Sequence, residues 1–299
     1  MNSKKMAPAM IVAAGVLWGI MGIFVRRLNS WGLSSPSLSQ VRATCTTLLL
    51  ALILLLCNKK LFRVRLRDLW IFAGGGVFSI VFFNVCYFKA IDLMSLSAAA
   101  TLMYTSPAFV LLLSAVIFRE RITPRKVLAI VLTFCGCALV GGLLGGSVNV
   151  TVFGVLCGVG SGLGYALYSI FSRLALLRKY DPMTITFYIF LFAALGSLFI
   201  SDIPEIIGVV RTAPVRILYF ILYVLVTTIL PYVLYTAGLK HVQNSRASVI
   251  VAVEPVTATI VGILVFSETL TVPALIGMLL VLAAIVIMSG PFRHGGGKK

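Results

Sequence analysis

Residues 106–123 read SPAFVLLLSAVIFRERIT, and residues 254–271 read EPVTATIVGILVFSETLT. Pro107 meets Pro255, Phe118 meets Phe266, Glu120 meets Glu268 and Thr123 meets Thr271, always 148 positions apart. Nearer the N-terminus of each half the likeness continues at an offset of 147. There Gly15 meets Gly162, Trp18 meets Tyr165, Phe24 meets Phe171, Arg26 meets Arg173 and Ala90 meets Ala237. One inserted residue separates the two registers. The chain therefore reads as a duplication, with one unit over 1–147 and a second over 148–299.

The repeated unit is built for lipid. Apolar residues make up 60% of the chain and charged residues 11%, where a soluble domain carries about a quarter charged. The apolar residues fall in continuous blocks of roughly 20, the length that spans ~30 Å of hydrocarbon as a helix. Continuous blocks without period-two alternation exclude a membrane β-barrel. The blocks predict ten helices, over Pro8–Leu28, Pro36–Cys57, Asp68–Ala90, Ser97–Phe118, Pro124–Gly145, Val152–Leu176, Pro182–Ser201, Val215–Gly238, Asn244–Phe266 and Val272–Gly290. Thr123-Pro124 and Asp181-Pro182 each place a capping side chain before a proline at the first helical position. Asp202–Pro214 reads as the longest loop. Five helices per unit is an odd number, so the second unit enters the membrane from the other side. The expected fold is an all-α integral membrane protein of ten transmembrane helices, arranged as two inverted five-helix repeats.

The net charge of +17 would suggest nucleic acid in a soluble chain. Here Lys and Arg sit in short runs between apolar blocks, which makes them topology signals and leaves the lipid bilayer, not nucleic acid, as the partner. With the N-terminus inside, nineteen Lys and Arg fall on the inner side and five on the outer, Arg42 lying within a helix. The positive-inside rule then puts both termini in the cytoplasm of a multi-pass protein of the inner or plasma membrane. Lys4 and Lys5 before an apolar run resemble a signal peptide, but Pro8–Val25 is too long for one, so it is kept as the first membrane helix. The tail from His294 to Lys299 is uninformative.

Enzyme readings find no support. Cys45, Cys57, Cys86, Cys135, Cys137 and Cys157 lie in apolar blocks, without His at metal-ligand spacing, and read as small buried residues. His241 and His294 are peripheral. Gly74-Gly75-Gly76 lacks the Lys-Ser/Thr of a phosphate loop. No metal and no cofactor is expected.

The ordered set Trp18-Gly19, Arg42, Pro107…Phe118-Arg119-Glu120-Arg121-Ile122-Thr123 and Glu254-Pro255…Phe266-Ser267-Glu268-Thr269-Leu270-Thr271 resembles the ten-helix EamA-type branch of the drug/metabolite transporter superfamily. The resemblance covers nearly the whole chain. It implies alternating-access transport of a small metabolite, often amino-acid export, through a cavity between the halves, and it leaves the substrate open.

Glu254 is the one acidic residue placed in the middle of a predicted helix, and its repeat mate is Ser106. A carboxyl at the bilayer centre is costly and normally faces a partner or a watery cavity. It reads as a proton carrier, as an anchor for an amino or quaternary-ammonium group, or as a neutral acid bonded to a neighbouring helix. Trp18, Tyr104, Tyr165 and Tyr168 share its level, and such a box can hold a cation over ring faces or simply pack helices. Arg42, about six residues and so roughly 9 Å from the outer end of its helix, either snorkels or lines an outer vestibule with Gln40. Asn84 and Tyr87 are further cavity candidates. Pro107 and Pro255 sit at matching mid-helix positions, where a missing N–H favours a hinge. Glu120 and Glu268 are expected to fix the tight connections that follow them. The seams Gly15-x3-Gly19 and Gly154-x3-Gly158-x3-Gly162 allow close helix contact, within a monomer or across a homodimer. Three functions stay open: export of an amino acid or similar metabolite, uptake of a choline-like quaternary ammonium compound, and a non-transporting membrane scaffold.

Overall fold

The computed structural model describes residues 3–142 and 151–289, and within them the chain is all-helical with no strand. Among the described residues ten longer helical units follow one another, with a shorter helix between the seventh and the eighth. α1 is Ser3–Gly19 continued by Met21–Asn29, and α2 is Ser35–Cys57. α3 runs from Leu69 through Leu93 and contains a π-helical stretch, Gly74–Val81. α4 is split into Leu96–Met103 and Ser106–Phe118. α5 is Pro124–Val140, α6 Val152–Leu177 and α7 Pro182–Ser197. α8 runs from Arg216 through Leu239 around a second π stretch, Leu225–Ile229. α9 is split into Asn244–Ile250 and Val253–Phe266, and α10 is Val272–Ser289.

Seven of these units are long and apolar enough to cross a membrane, and α7 and α10 are shorter apolar helices; α5, at 17 residues, has Arg125 and Lys126 in its first turn. The unit boundaries agree with the sequence reading to within a few residues. The seventh helix is shorter than expected, ending at Ser197, because residues 198–201 turn. The ends placed at Gly145 and Gly290, the unit boundary at 147/148 and the tail lie outside the described residues. Asp202–Pro214 is not a plain loop: Ile203–Thr212 is helical, with the Asp202 carboxylate accepting from the Glu205 N–H at 3.2 Å.

Packing follows the duplication. α1 lies along α8 and α9, and its mate α6 lies along α3 and α4. α2 packs on α7 and α5 on α10, each unit against its own mate. The α5–α10 crossing is so close that a Cβ added at Gly136 would stand 2.7 Å from the Gly277 carbonyl oxygen. The glycine seams turn out to be intrachain: Gly15 faces the backbone at Val251, and its mate Gly162 faces the carbonyls of Leu102 and Met103.

Both split helices break at matching places. α4 breaks at Tyr104–Thr105 and α9 at Val251–Ala252, just before Pro107 and Pro255. A proline donates no hydrogen bond and its ring crowds the carbonyl four residues back, here Met103 and Val251. The break lies within a turn ahead of each proline. Of the six cysteines, only Cys137 is buried; Cys57 and Cys135 are exposed along the apolar surface. A helix that spans lipid has an outward apolar face, so apolar character did not imply burial.

Candidate functional site

Glu254 stands in the first turn after the α9 break and is half-buried. Its carboxylate accepts from the Tyr165 hydroxyl at 3.2 Å. Within electrostatic reach stand Tyr87 of α3, Tyr104 of the α4 break, Cys137 of α5 and Tyr232 of α8. Tyr87, Tyr104, Tyr165 and Tyr232 all keep some exposed surface, so five helices converge on the acid without sealing it.

Trp18 closes one side of this group. Its ring centroid lies 6.4 Å from Tyr165, 5.0 Å from Tyr232 and 5.7 Å from Tyr235. Phe83 stacks on Tyr87 at 5.5 Å and meets Tyr165 edge-on at 6.0 Å. Tyr168 is tied down: it is buried, shares a hydrogen bond with Thr236 at 2.9 Å and meets the Tyr232 ring at 4.7 Å. It shapes the wall from behind. Asn84 is also committed, donating to Ser39 at 2.5 Å in a buried link between α3 and α2.

Arg42 does not snorkel. It is buried, its guanidinium donates to the Met21 sulfur at 3.6 Å, and its electrostatic neighbours are Tyr223 and Tyr232. Four ion pairs occur among the described residues, and neither Arg42 nor Glu254 is in any of them. Gln40 is held by Ser197 and donates to Thr44 at 2.8 Å. It therefore braces α2 against α7 and does not stand beside Arg42.

The structure brings together Trp18, Tyr87, Tyr104, Tyr165 and Glu254. It adds Tyr232, Tyr235 and Phe83, which the sequence reading omits. Tyr232 follows Pro231 in α8 and is the side chain that faces both Arg42 and Glu254. Its repeat mate is Val85, so the duplication gave no signal there; depth along α8 was the only available cue. Of Glu120 and Glu268, only Glu268 departs wholly from expectation. Thr123 and Thr271 do cap their helices, accepting from Lys126 and Ala274 N–H at 3.3 Å each. Glu268 bonds across the molecule to Arg26, whereas Glu120 does both: it pairs with Lys126 in the first turn of the helix that follows and also reaches across to Asn244 and Ser245.

A helical membrane bundle that keeps an unpaired acid and an unpaired base inside, walled by aromatic rings, has the build of a membrane transporter. The profile of the EamA-like transporter family matches residues 5–142 and again residues 152–290. An uncharacterized transporter of Archaeoglobus fulgidus is 33% identical over 280 residues, 93% of this chain and 94% of its own length. An uncharacterized inner membrane transporter of Salmonella typhimurium, YicL, is 22% identical over 299 residues and 97% of each chain. A crystal structure shares the fold at a TM-score of 0.77 and 18% identity, over 95% of this chain and 96% of that one. The chain belongs to the EamA-like transporter family.

Proposed function

We propose that the protein is a secondary transporter of ten membrane spans in two inverted repeats, with both termini cytoplasmic in the cell membrane. It exports an amino acid or a closely related zwitterion by alternating access at the site between its halves. The observation that carries this reading is the separation of a buried Arg42 and a half-buried Glu254, groups of opposite charge type with no ion-pair partner, both within electrostatic reach of Tyr232. A buried charge without a partner is costly, and a ligand with a carboxylate at one end and an ammonium at the other relieves both costs. Arg42 would hold the carboxylate, Glu254 the amino group, and Trp18, Tyr165 and Tyr104 the apolar body. Export follows the family resemblance. Glu254 can also carry a proton in exchange for the substrate. Of the other readings, choline-like uptake draws on the same aromatic box, but it leaves Arg42 without a task.

The test is a thermal-shift panel on detergent-purified protein with amino acids, organic cations and carboxylates. A ligand that binds only the folded protein stabilises it by RT ln(1 + [L]/Kd). Amino acids are expected to raise Tm in the wild type and to lose the effect in both Glu254→Gln and Arg42→Ala. Stabilisation by quaternary ammonium compounds that survives Arg42→Ala would select the choline-like reading. No shift with any class would move the weight to a scaffold. Glu254→Gln that keeps a full response to a pH gradient in vesicles would remove the proton-carrying role.

A further inference from the structure

Glu120 and Glu268 are repeat mates, yet their surroundings differ. Glu120 reaches from the end of α4 to the start of α9. It accepts from the Asn244 N–H at 2.9 Å and the Ser245 hydroxyl at 2.5 Å, and Lys126 lies 3.3 Å away. Arg173 grips the same connection from α6, donating to the carbonyls of Leu239 and Val242. One acid and one base thus clamp residues 239–245, at the end of the molecule that carries the basic loops. Beside them the first piece of α9 packs along the second piece of α4.

The mates of these two residues sit at the other end. Arg26 corresponds to Arg173 and Glu268 to Glu120, and the connection they would grip is residues 92–97, between α3 and α4. Among the described residues they make no bond to it. They pair with each other, half exposed, and the Arg26 guanidinium lies 3.9 Å over the Phe266 ring. Leu96, the mate of the fully buried Asn244, is 61% exposed. The first piece of α4 has no extended packing on the second piece of α9.

We propose that these two acid–base pairs are reciprocal latches, and that this structure has the inner latch shut and the outer latch released. In the opposite state Arg26 and Glu268 separate and take hold of the 92–97 connection. Glu120 and Arg173 then release residues 239–245 and pair with each other. Two like halves can exchange conformations at small net cost. Each carboxylate has an ion-pair partner or N–H and O–H donors in either state. The latches are unequal, because the mate of Lys126 is Ala274. Only the inner carboxylate therefore has a buried lysine beside it. The inference rests on the alternating-access reading above and names the residues that hold its two states.

Ala100 and Ser248 are mates, one turn inside each latch, half-buried and 5% exposed. Single cysteines at these positions, Ala100→Cys and Ser248→Cys, are labelled with a water-soluble maleimide and read above the background of the native thiols. Adding Glu120→Gln is expected to raise the labelling rate of Ser248→Cys by about tenfold and to slow that of Ala100→Cys. Adding Glu268→Gln is expected to keep Ser248→Cys protected and to speed Ala100→Cys. If Glu120→Gln speeds both sites, or speeds Ser248→Cys without slowing Ala100→Cys, the glutamate is a static clasp and the latch inference falls. If amino acids make the two sites trade protection but neither glutamine variant does, the latches are overturned while alternating access stands. If nothing makes them trade, both readings fail.

Discussion

Two ion pairs built from repeat-related glutamates show how much the surroundings of a charge decide its worth. Lys126 and Glu120 are 2% and 8% exposed, while Arg26 and Glu268 are 56% and 49% exposed. Removing one partner of a buried pair strands the other and costs about 3–5 kcal/mol. A solvent-screened pair contributes ~0–1 kcal/mol. Lys126→Met should therefore lower the melting temperature of the detergent-purified protein by many degrees, and Arg26→Met should leave it nearly unchanged. Equal shifts in a thermal melt would contradict the burial assigned to the inner pair. Asp68 belongs with the buried class as well. It is 1% exposed, accepts from the Tyr180 hydroxyl at 2.8 Å and pairs with Arg178 at 3.0 Å, tying the start of α3 to the end of α6.

Among the helices, close approach matters more than composition. Gly136 and Gly277 let α5 and α10 touch backbone to backbone. Gly136→Val would drive a branched side chain into the Gly277 carbonyl and the Val281 side chain, with an overpacking cost of about 1–3 kcal/mol. The expected readout is a lower melting temperature with unchanged helical circular dichroism; a neutral result would mean that the two helices do not cross there. The breaks in α4 and α9 were half legible. Pro107 and Pro255 announced them, since a mid-helix proline removes a hydrogen bond wherever it sits. That Tyr104 and Val251–Ala252 form the turns could only be seen once the carbonyls ahead of each proline were placed. The two π stretches had no announcement at all. Gly74–Val81 and Leu225–Ile229 overlap at the repeat offset of 147 but share almost no sequence.

Over the whole molecule, the proposed orientation puts the Ile203–Thr212 helix outside and the Leu239–Asn244 connection inside. A membrane-impermeant thiol reagent applied to intact cells should label Arg211→Cys and spare Lys240→Cys; the reverse pattern would invert the topology. The duplication, the all-helical membrane class and the family were legible in the chain itself. They depend on period, block length and charge count, which are local properties that survive without coordinates. The candidate site was legible only in part. Glu254, Trp18 and Tyr165 stood out because a carboxyl and large polar rings at mid-depth are costly in lipid wherever they occur. Tyr232 and the unlike fates of Glu120 and Glu268 did not stand out, because a partner across the bundle is fixed by which helices meet. The sequence determined that the chain is two similar halves, because a duplication is read from matching residues at a fixed offset. Only the tertiary structure decided which partners the related residues take, since Glu120 meets Lys126, Asn244 and Ser245 while Glu268 meets Arg26, and partners across a bundle are fixed by which helices meet.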